Sequence, residues 1–304
     1  MKVSKKIISV FLSGIISISM AFSTPAVFAV KNDPDNPVDF NWYININDAN
    51  ISSIPTQVYT GFSIKPSVTI KYGNKILKQN EDYTLKYSNN KQVGKATVTI
   101  KGINNYNGSK TIQFKIIPQV VKNLKVTSTT SSINLKWSKA LGASNYEVYR
   151  ATSENGKYTK VKTLKSSTTS YKDTKASNTK VYYYKIRAYK IVNKTNYYGA
   201  YSNVICGVKT PSKPVIKVTS PSTKTVKVSW KKISGANGYE VYRKTNSSSQ
   251  YKKIKTVTSG NTLSYTNKKL TKNSKYYYKV RAYKIVNGQK IYSSYSSVKQ
   301  IKCK

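Results

Sequence analysis

Apolar and polar side chains alternate with a period of two along most of this chain, in short runs separated by Gly, Asn, Ser and Pro. In Lys95-Ala-Thr-Val-Thr-Ile100 the residues Ala96, Val98 and Ile100 share one face. Ser67-Val-Thr-Ile70 and Tyr83-Thr-Leu-Lys-Tyr87 follow the same rule. Successive side chains of an extended chain point to opposite faces, so this pattern predicts strands with one buried face. The longest such stretch, Tyr182-Tyr-Tyr-Lys-Ile-Arg-Ala-Tyr189, puts Tyr182, Tyr184, Ile186 and Ala188 on one face. Tyr183, Lys185, Arg187 and Tyr189 fall on the other. The first set holds no charge and is predicted to face the core.

That stretch returns almost unchanged at Tyr276-Tyr-Tyr-Lys-Val-Arg-Ala-Tyr283 and reveals a repeat of about 93 residues. Trp137 lies over Trp230, Tyr146 over Tyr239, Arg150 over Arg243 and Tyr158 over Tyr251. One added residue then shifts the register, and Tyr182 meets Tyr276, Arg187 meets Arg281, and Tyr201 meets Tyr295. Each repeat reads as about seven short strands punctuated by turn formers, the pattern of a two-sheet sandwich. The repeats are 119–211 and 212–304, meeting near Thr210-Pro-Ser-Lys-Pro214. A further set of short strands fills 44–118, so the fold class is all-β, with three tandem β-sandwich domains.

Two resemblances sharpen this. Leu135-Lys-Trp137, Tyr146-Glu-Val-Tyr-Arg150 and Tyr182-Tyr-Tyr-Lys-Ile-Arg-Ala188, with their counterparts in the second repeat, resemble fibronectin type III domains. The resemblance implies that Tyr182 and Tyr276 are corner tyrosines, with rings packed inward and hydroxyls bonded to backbone. Tyr59-Thr-Gly61, Asp82-Tyr-Thr84, Tyr87-Ser-Asn-Asn90, Gly94-Lys-Ala-Thr-Val-Thr-Ile100 and Asn105-Tyr-Asn-Gly108 look like small bacterial immunoglobulin-like modules of surface proteins. Together they imply a secreted surface protein of a Gram-positive bacterium.

The start of the chain agrees with export. Met1-Lys-Val-Ser-Lys-Lys6 is a positive leader, Ile7 to Phe22 is apolar, and Val27-Phe-Ala29 supplies a cleavage site, so 1–29 reads as a signal peptide. The apolar run is shorter than the roughly 20 residues that span a bilayer, and no later segment is a transmembrane candidate. No Cys follows the run for lipid attachment, and no Leu-Pro-x-Thr-Gly sorting motif lies near Lys304. Residues 30–43, with Asn32-Asp-Pro-Asp-Asn-Pro37, read as a flexible, exposed leader. The expected location is extracellular, with cell-wall association.

Charge then narrows the partners. Lys and Arg number 53 against 10 Asp and Glu, a formal net charge of +43, which becomes +40 once the three lysines of residues 1–29 are removed. Hydrophobic residues at 38% and aromatics at 12% still provide for packed cores, so the charge decorates folded surfaces. It rises along the chain: 44–118 carry 10 basic and 3 acidic residues, 119–211 carry 17 and 3, and 212–304 carry 22 and 1. Such a field attracts polyanions over a Debye length of about 8 Å. The expected partner is an anionic cell-wall polymer or acidic glycan, with other surface proteins as further partners. Nucleic acid is expected to bind only nonspecifically, since Lys greatly outnumbers Arg, the residue suited to base readout.

Catalytic chemistry finds little purchase. The absence of His excludes His-dependent triads and imidazole-ligated zinc. The scattered carboxylates Glu147, Glu154, Asp173 and Glu240 suit no glycosidase pair, and no metal or cofactor is expected. Glu81 and Asp82 read as a solvated turn. Trp137 and Trp230, each two residues after an apolar position on an alternating strand, read as core. Cys206 and Cys303 sit near the ends of different repeats, too far apart for a disulfide, which leaves Cys303 as a free thiol. The candidate binding residues are the outward ladder Tyr183, Lys185, Arg187 and Tyr189, repeated as Tyr277, Lys279, Arg281 and Tyr283. Its rings suit sugar or base faces and its cations suit phosphate or carboxylate. The competing expectation pairs these residues with Glu147 and Tyr149, or Glu240 and Tyr242, on neighbouring strands. The function expected is non-catalytic adhesion through basic sandwiches. The alternatives are an accessory carbohydrate-binding or spacer protein of a polysaccharide-degrading system, and a nonspecific nucleic-acid binder.

Overall fold

The computed structural model describes residues 27–29, 41–245 and 250–304. The expected signal peptide lies outside the described residues except for Val27–Ala29, a strand antiparallel to Asn41–Tyr43. Most of the expected leader also lies outside them, but strand Asn41–Asn45 takes in the leader's last residues, so backbone pairing begins before Ile44. By packing, the chain divides into one unit of 1–53, 67–86 and 98–112 and a second of 54–66, 87–97 and 113–304.

In the first unit Ile46, Ile70, Leu77, Tyr83, Val98, Ile100 and Tyr106 are buried. The turn at Glu81-Asp82 departs from expectation. Glu81 is exposed and paired with Lys78 at 3.2 Å, but Asp82 is only 8% exposed. Its carboxylate folds back over the turn and accepts the Lys78 N–H at 2.8 Å and the Lys75 ammonium at 3.1 Å. Burial alone would raise the Asp82 pKa, but these two donors outweigh it and hold the group below its ordinary value.

The second unit contains two sandwiches built on one plan. In the first, Lys125–Ser128, Ile133–Lys136 and Ser170–Asp173 form a three-stranded sheet. Thr159–Lys165, Asn145–Ala151 and Tyr182–Val192 form the facing sheet, whose last edge is shared by Thr195–Tyr201 and Ile205–Gly207. In the second sandwich the small sheet is Ile216–Thr219, Val226–Trp230 and Ser264–Asn267. The large one is Lys252–Val257, Gly238–Lys244 and Lys275–Val286, with Gln289–Tyr292 and Lys299–Lys302 along its edge. Both are two-sheet antiparallel sandwiches, and the chain is an all-β array of tandem β-sandwich domains.

The alternation explains the cores. Tyr182, Tyr184, Ile186 and Ala188 are buried against Ile133, Leu135, Trp137, Tyr146 and Val148, and the second sandwich repeats this with Tyr276, Tyr278, Val280 and Ala282. Trp137 meets Tyr146 edge-on at 5.5 Å, and Trp230 meets Tyr239 at 5.1 Å. Buried phenols find backbone donors: Tyr182 accepts the Ser177 N–H at 3.1 Å, and Tyr276 accepts the Thr271 N–H at 2.9 Å. These are the hydroxyl-to-backbone bonds that the resemblance implies for the two tyrosines.

Each long sixth strand, Tyr182–Val192 or Lys275–Val286, faces an edge strand broken in the middle. Serines supply the missing acceptors there. Ser202 Oγ accepts the Ile186 N–H at 3.0 Å, Ser296 Oγ accepts the Val280 N–H at 3.0 Å, and Ser293 Oγ accepts the Ala282 N–H at 2.9 Å. A buried N–H left without such an acceptor costs about 1–3 kcal/mol.

Both cysteines are free thiols, as expected, with Cys303 buried in the core of the second sandwich and Cys206 half-buried. Ellman titration of the native protein is therefore expected to report one reactive thiol, Cys206, with the second appearing only on unfolding. Two fast thiols in the native state, or none after denaturation without reductant, would contradict this placement.

Candidate functional site

The antiparallel register of the large sheets builds the candidate ladder. It sets Glu147 opposite Arg187 and Tyr149 opposite Lys185, and in the second sandwich Glu240 opposite Arg281 and Tyr242 opposite Lys279. Each sandwich thereby places one carboxylate among several cations on the outer face of a sheet.

Glu240 is fully buried. Its Oε2 accepts Arg281 Nε at 3.0 Å, Arg281 Nη2 at 2.8 Å and the Tyr242 hydroxyl at 2.9 Å. Its Oε1 accepts Lys290 Nζ and the Tyr292 hydroxyl, both at 3.2 Å, and Lys253 Nζ at 3.5 Å. Glu147, 3% exposed, repeats the design with Arg187 Nε at 2.8 Å, Lys160 Nζ at 2.8 Å and the Tyr149 hydroxyl at 2.7 Å. Charge-assisted bonds of this length are among the stronger ones in proteins. Burial alone would raise the Glu240 pKa, but the bonds from Arg281, Tyr242 and Lys290 outweigh it and lower the group to about 2. Burial, and the carboxylate each hydroxyl donates to, push Tyr149 and Tyr242 well above the usual phenol value.

The remaining cations lie between rings. Lys185 Nζ is 4.3 Å from the centroid of Tyr158 and 4.2 Å from that of Tyr201. Lys279 Nζ is 4.3 Å from Tyr251 and 3.9 Å from Tyr295. Arg187 stacks on Tyr198 at 3.8 Å and Arg281 on Tyr292 at 3.6 Å. Each such contact contributes about 0.5–1 kcal/mol where exposed and about 2 kcal/mol where desolvated.

Two of the eight candidate residues are misplaced by the alternation rule. Tyr189 is 9% exposed and Tyr283 is 2% exposed, so neither ring presents a face to a ligand. Gly238, the cross-strand neighbour of Tyr283, leaves the space that the ring fills, and a Cβ there would come within 2.5 Å of the Tyr283 hydroxyl. That hydroxyl donates to the Val257 carbonyl at 3.3 Å. Tyr189 packs on Tyr198 at 5.4 Å. Tyr183, Lys185, Arg187, Tyr277, Lys279 and Arg281 are half-buried on the outer face.

Sequence reasoning missed the partners Tyr198, Tyr292, Lys160, Lys253 and Lys290. The signal for part of the set was present, since Tyr158 and Tyr251, like Tyr201 and Tyr295, recur in register between the repeats. Only the sheet order shows that these rings close on the lysines. The arrangement can hold strands together and neutralise charge, and it places no nucleophile beside a base. Among the described residues no group of three or more His, Cys, Asp or Glu could hold a metal ion, and no helix is long and apolar enough to cross a membrane.

No protein-family model matches the chain. Over 71 residues it is 38% identical to an amylopullulanase of Thermoanaerobacterium saccharolyticum, a stretch covering 23% of this chain and 6% of that protein. A two-domain fibronectin type III segment of chicken tenascin aligns in structure with a TM-score of 0.45 and 18% identity, over 60% of this chain and 98% of that segment.

A carboxylate whose pKa is lower in the folded state stabilises the fold above its unfolded pKa and loses that contribution as pH falls. For Glu240 the window runs from about pH 5 down to about pH 2, and the contribution is roughly 3 kcal/mol, at 1.36 kcal/mol per unit. The urea midpoint of the wild type is expected to drop across this window, and Glu240→Gln to be less stable at pH 7 with a flatter pH dependence. An unchanged pH slope in the variant would show that Glu240 is not the group responsible.

Proposed function

We propose that this protein is an exported, non-catalytic binding protein of the cell surface, whose basic sandwiches adhere to anionic extracellular polymers. The proposal includes cleavage of residues 1–29 and three modules at 44–118, 119–211 and 212–304, the first of them a bacterial immunoglobulin-like module in a Gram-positive setting. One observation carries the reading. Residues 212–304 hold 22 Lys and Arg against a single acid, and that acid, Glu240, is buried and consumed by Arg281, Lys290 and Lys253. The surface of this sandwich therefore meets solvent with cations and no exposed acidic side chain. Lysines at 217, 227, 231, 232, 252, 255, 268 and 299 are all exposed.

A second reading is favoured by the amylopullulanase match. In it the sandwiches serve as accessory or spacer modules in a polysaccharide-degrading system, and the ligand is a neutral glycan. The two readings differ in physics. Adhesion by charge releases counterions and weakens steeply with salt, whereas sugar stacking and hydrogen bonding to a neutral glycan do not.

Retention of the full chain on immobilised poly(glycerol phosphate) and on immobilised pullulan, each at 50 and 200 mM salt, separates them. The charge-based reading expects binding to the polyphosphate alone, weakened at least 100-fold between the two salt concentrations. Salt-insensitive retention on pullulan would replace it with the accessory reading.

A further inference from the structure

We propose that the second sandwich carries a phosphate-binding cradle at one end, formed by Lys224, Lys269 and Lys272, that seats phosphate groups of a flexible polyol-phosphate chain. This deepens the function proposed above and rests on it. The three lysines, with Leu270 and Thr271, line a cleft of ≈ 510 Å³. They come from two loops far apart in sequence, which the backbone ties together: the Leu270 N–H donates to the Lys224 carbonyl at 3.0 Å. The Thr271 N–H is held by the Tyr276 hydroxyl at 2.9 Å, so the second loop is anchored to the corner tyrosine.

The backbone supplies an independent argument. Lys224 has φ 57° and Lys269 has φ 58°, both left-handed. For a residue with a Cβ this conformation costs roughly 1–2 kcal/mol, and Gly or Asn adopts it at lower cost. Lysine at both positions keeps two long cations at the cleft despite that cost. Local strain of this kind is characteristic of functional positions.

Comparison within the chain shows what the second sandwich has changed. Counted along the repeat, Lys224 stands where the first sandwich has Ser131, Lys268 where it has Thr174, and Lys272 where it has Asn178; Lys269 corresponds to Lys175. The first sandwich also keeps a buried acid at this end. Asp173 pairs with Arg150 at 2.8 Å and accepts the Lys175 and Ala176 N–H groups at 3.0 and 3.2 Å. Its counterpart is Asn267, whose amide donates to the Tyr278 hydroxyl at 3.0 Å. At this end Lys224, Lys268 and Lys272 are gained and the acidic side chain of Asp173 is lost, while Lys180 and Lys209 of the first sandwich give way to Ser274 and Cys303.

In the first sandwich one loop of this end touches the second sandwich. The Asn178 carbonyl accepts Lys284 Nζ of the second sandwich at 3.2 Å, and Gly235 lies so close that a Cβ there would come within 2.4 Å of that carbonyl. The side chains of Thr174, Lys175 and Asn178 stay exposed, as do those of lysines 268, 269 and 272 in the second sandwich.

The chemistry favours a phosphodiester polyol over nucleic acid. No aromatic ring lines the cleft, so bases have nothing to stack on. Its cations are ammonium point charges that suit single phosphates, and it holds no guanidinium fork for base edges.

The test is calorimetric titration of the full chain with a synthetic poly(glycerol phosphate) oligomer at 50 mM salt. Lys224→Ser with Lys272→Asn installs the side chains of the first sandwich, and Lys255→Ser with Lys299→Asn removes the same charge from exposed positions elsewhere on the second. The cradle pair is expected to weaken binding at least ten-fold and the control pair no more than about three-fold. Lys269→Asn is expected to raise the urea midpoint, because Asn suits the left-handed backbone, while weakening binding. Equal losses in the two pairs overturn the cradle and leave the charge-based function standing; no binding by the wild type overturns that function and the cradle with it. Oligothymidine that binds as tightly and suffers the same loss in the cradle pair overturns the polyol assignment in favour of nucleic acid. Phosphatidylglycerol vesicles that reproduce the cradle effect while the soluble oligomer does not would locate the phosphate on a lipid surface.

Discussion

A chain with a formal charge of +43 has to fold against its own repulsion, and the large sheets solve this by enclosing cations between tyrosine rings around a single buried carboxylate. Isolated, such a carboxylate would be costly to bury. Here one glutamate in each sandwich accepts bonds from an arginine, from lysine and from tyrosine hydroxyl at once. The lysines left over, Lys185 and Lys279, lie between two rings each, where the π-faces screen them. The abundance of tyrosine, 27 residues against 6 phenylalanines, follows from this role. Phenylalanine would supply the ring but neither the hydroxyl that donates to Glu147 or Glu240 nor the corner hydroxyl that accepts from backbone.

Much of this was legible in the sequence. The two-residue alternation of Tyr182, Tyr184, Ile186 and Ala188 identifies the core face correctly, and the buried positions of Trp137 and Trp230 follow from the same rule. The pairing of the ladder with Glu147, Tyr149, Glu240 and Tyr242 was also within reach, because neighbouring strands of an antiparallel sheet set opposite residues side by side. The misses share one cause. Alternation assigns a face to a side chain but not the coverage of that face. Tyr189 and Tyr283 point outward by parity, yet Tyr198, the Val257 carbonyl and the space over Gly238 bury them. Asp82 looks solvated in the sequence because nothing local shows its carboxylate folding back onto Lys75 and Lys78. The cleft of Lys224, Lys269 and Lys272 joins loops separated by about half a repeat, and only the closed sandwich brings them together.

The two sandwiches share a fold and a ladder but differ in charge. In the first, Asp173 offsets Arg150, and Lys284 of the next sandwich reaches the Asn178 carbonyl at the same end. In the second, Asn267 takes the place of that acid and lysines replace the small polar residues around it. The core keeps its tyrosines and tryptophan, with conservative exchanges such as Ile133 for Val226 and Leu135 for Val228, while the added lysines at 224, 268 and 272 lie where solvent reaches.

This division of labour is the central claim, and Lys279 tests it most directly. Lys279→Met keeps the bulk that fills the space between Tyr251 and Tyr295 while removing the charge. Its urea stability and its affinity for poly(glycerol phosphate) can be measured on one preparation. The account predicts a loss of about 1 kcal/mol in stability, on the scale of a partly desolvated cation–π contact, with affinity falling no further than for removal of an exposed lysine such as Lys255. Unchanged stability together with a ten-fold or greater selective loss of affinity would contradict it and return the ladder to the role of a ligand site.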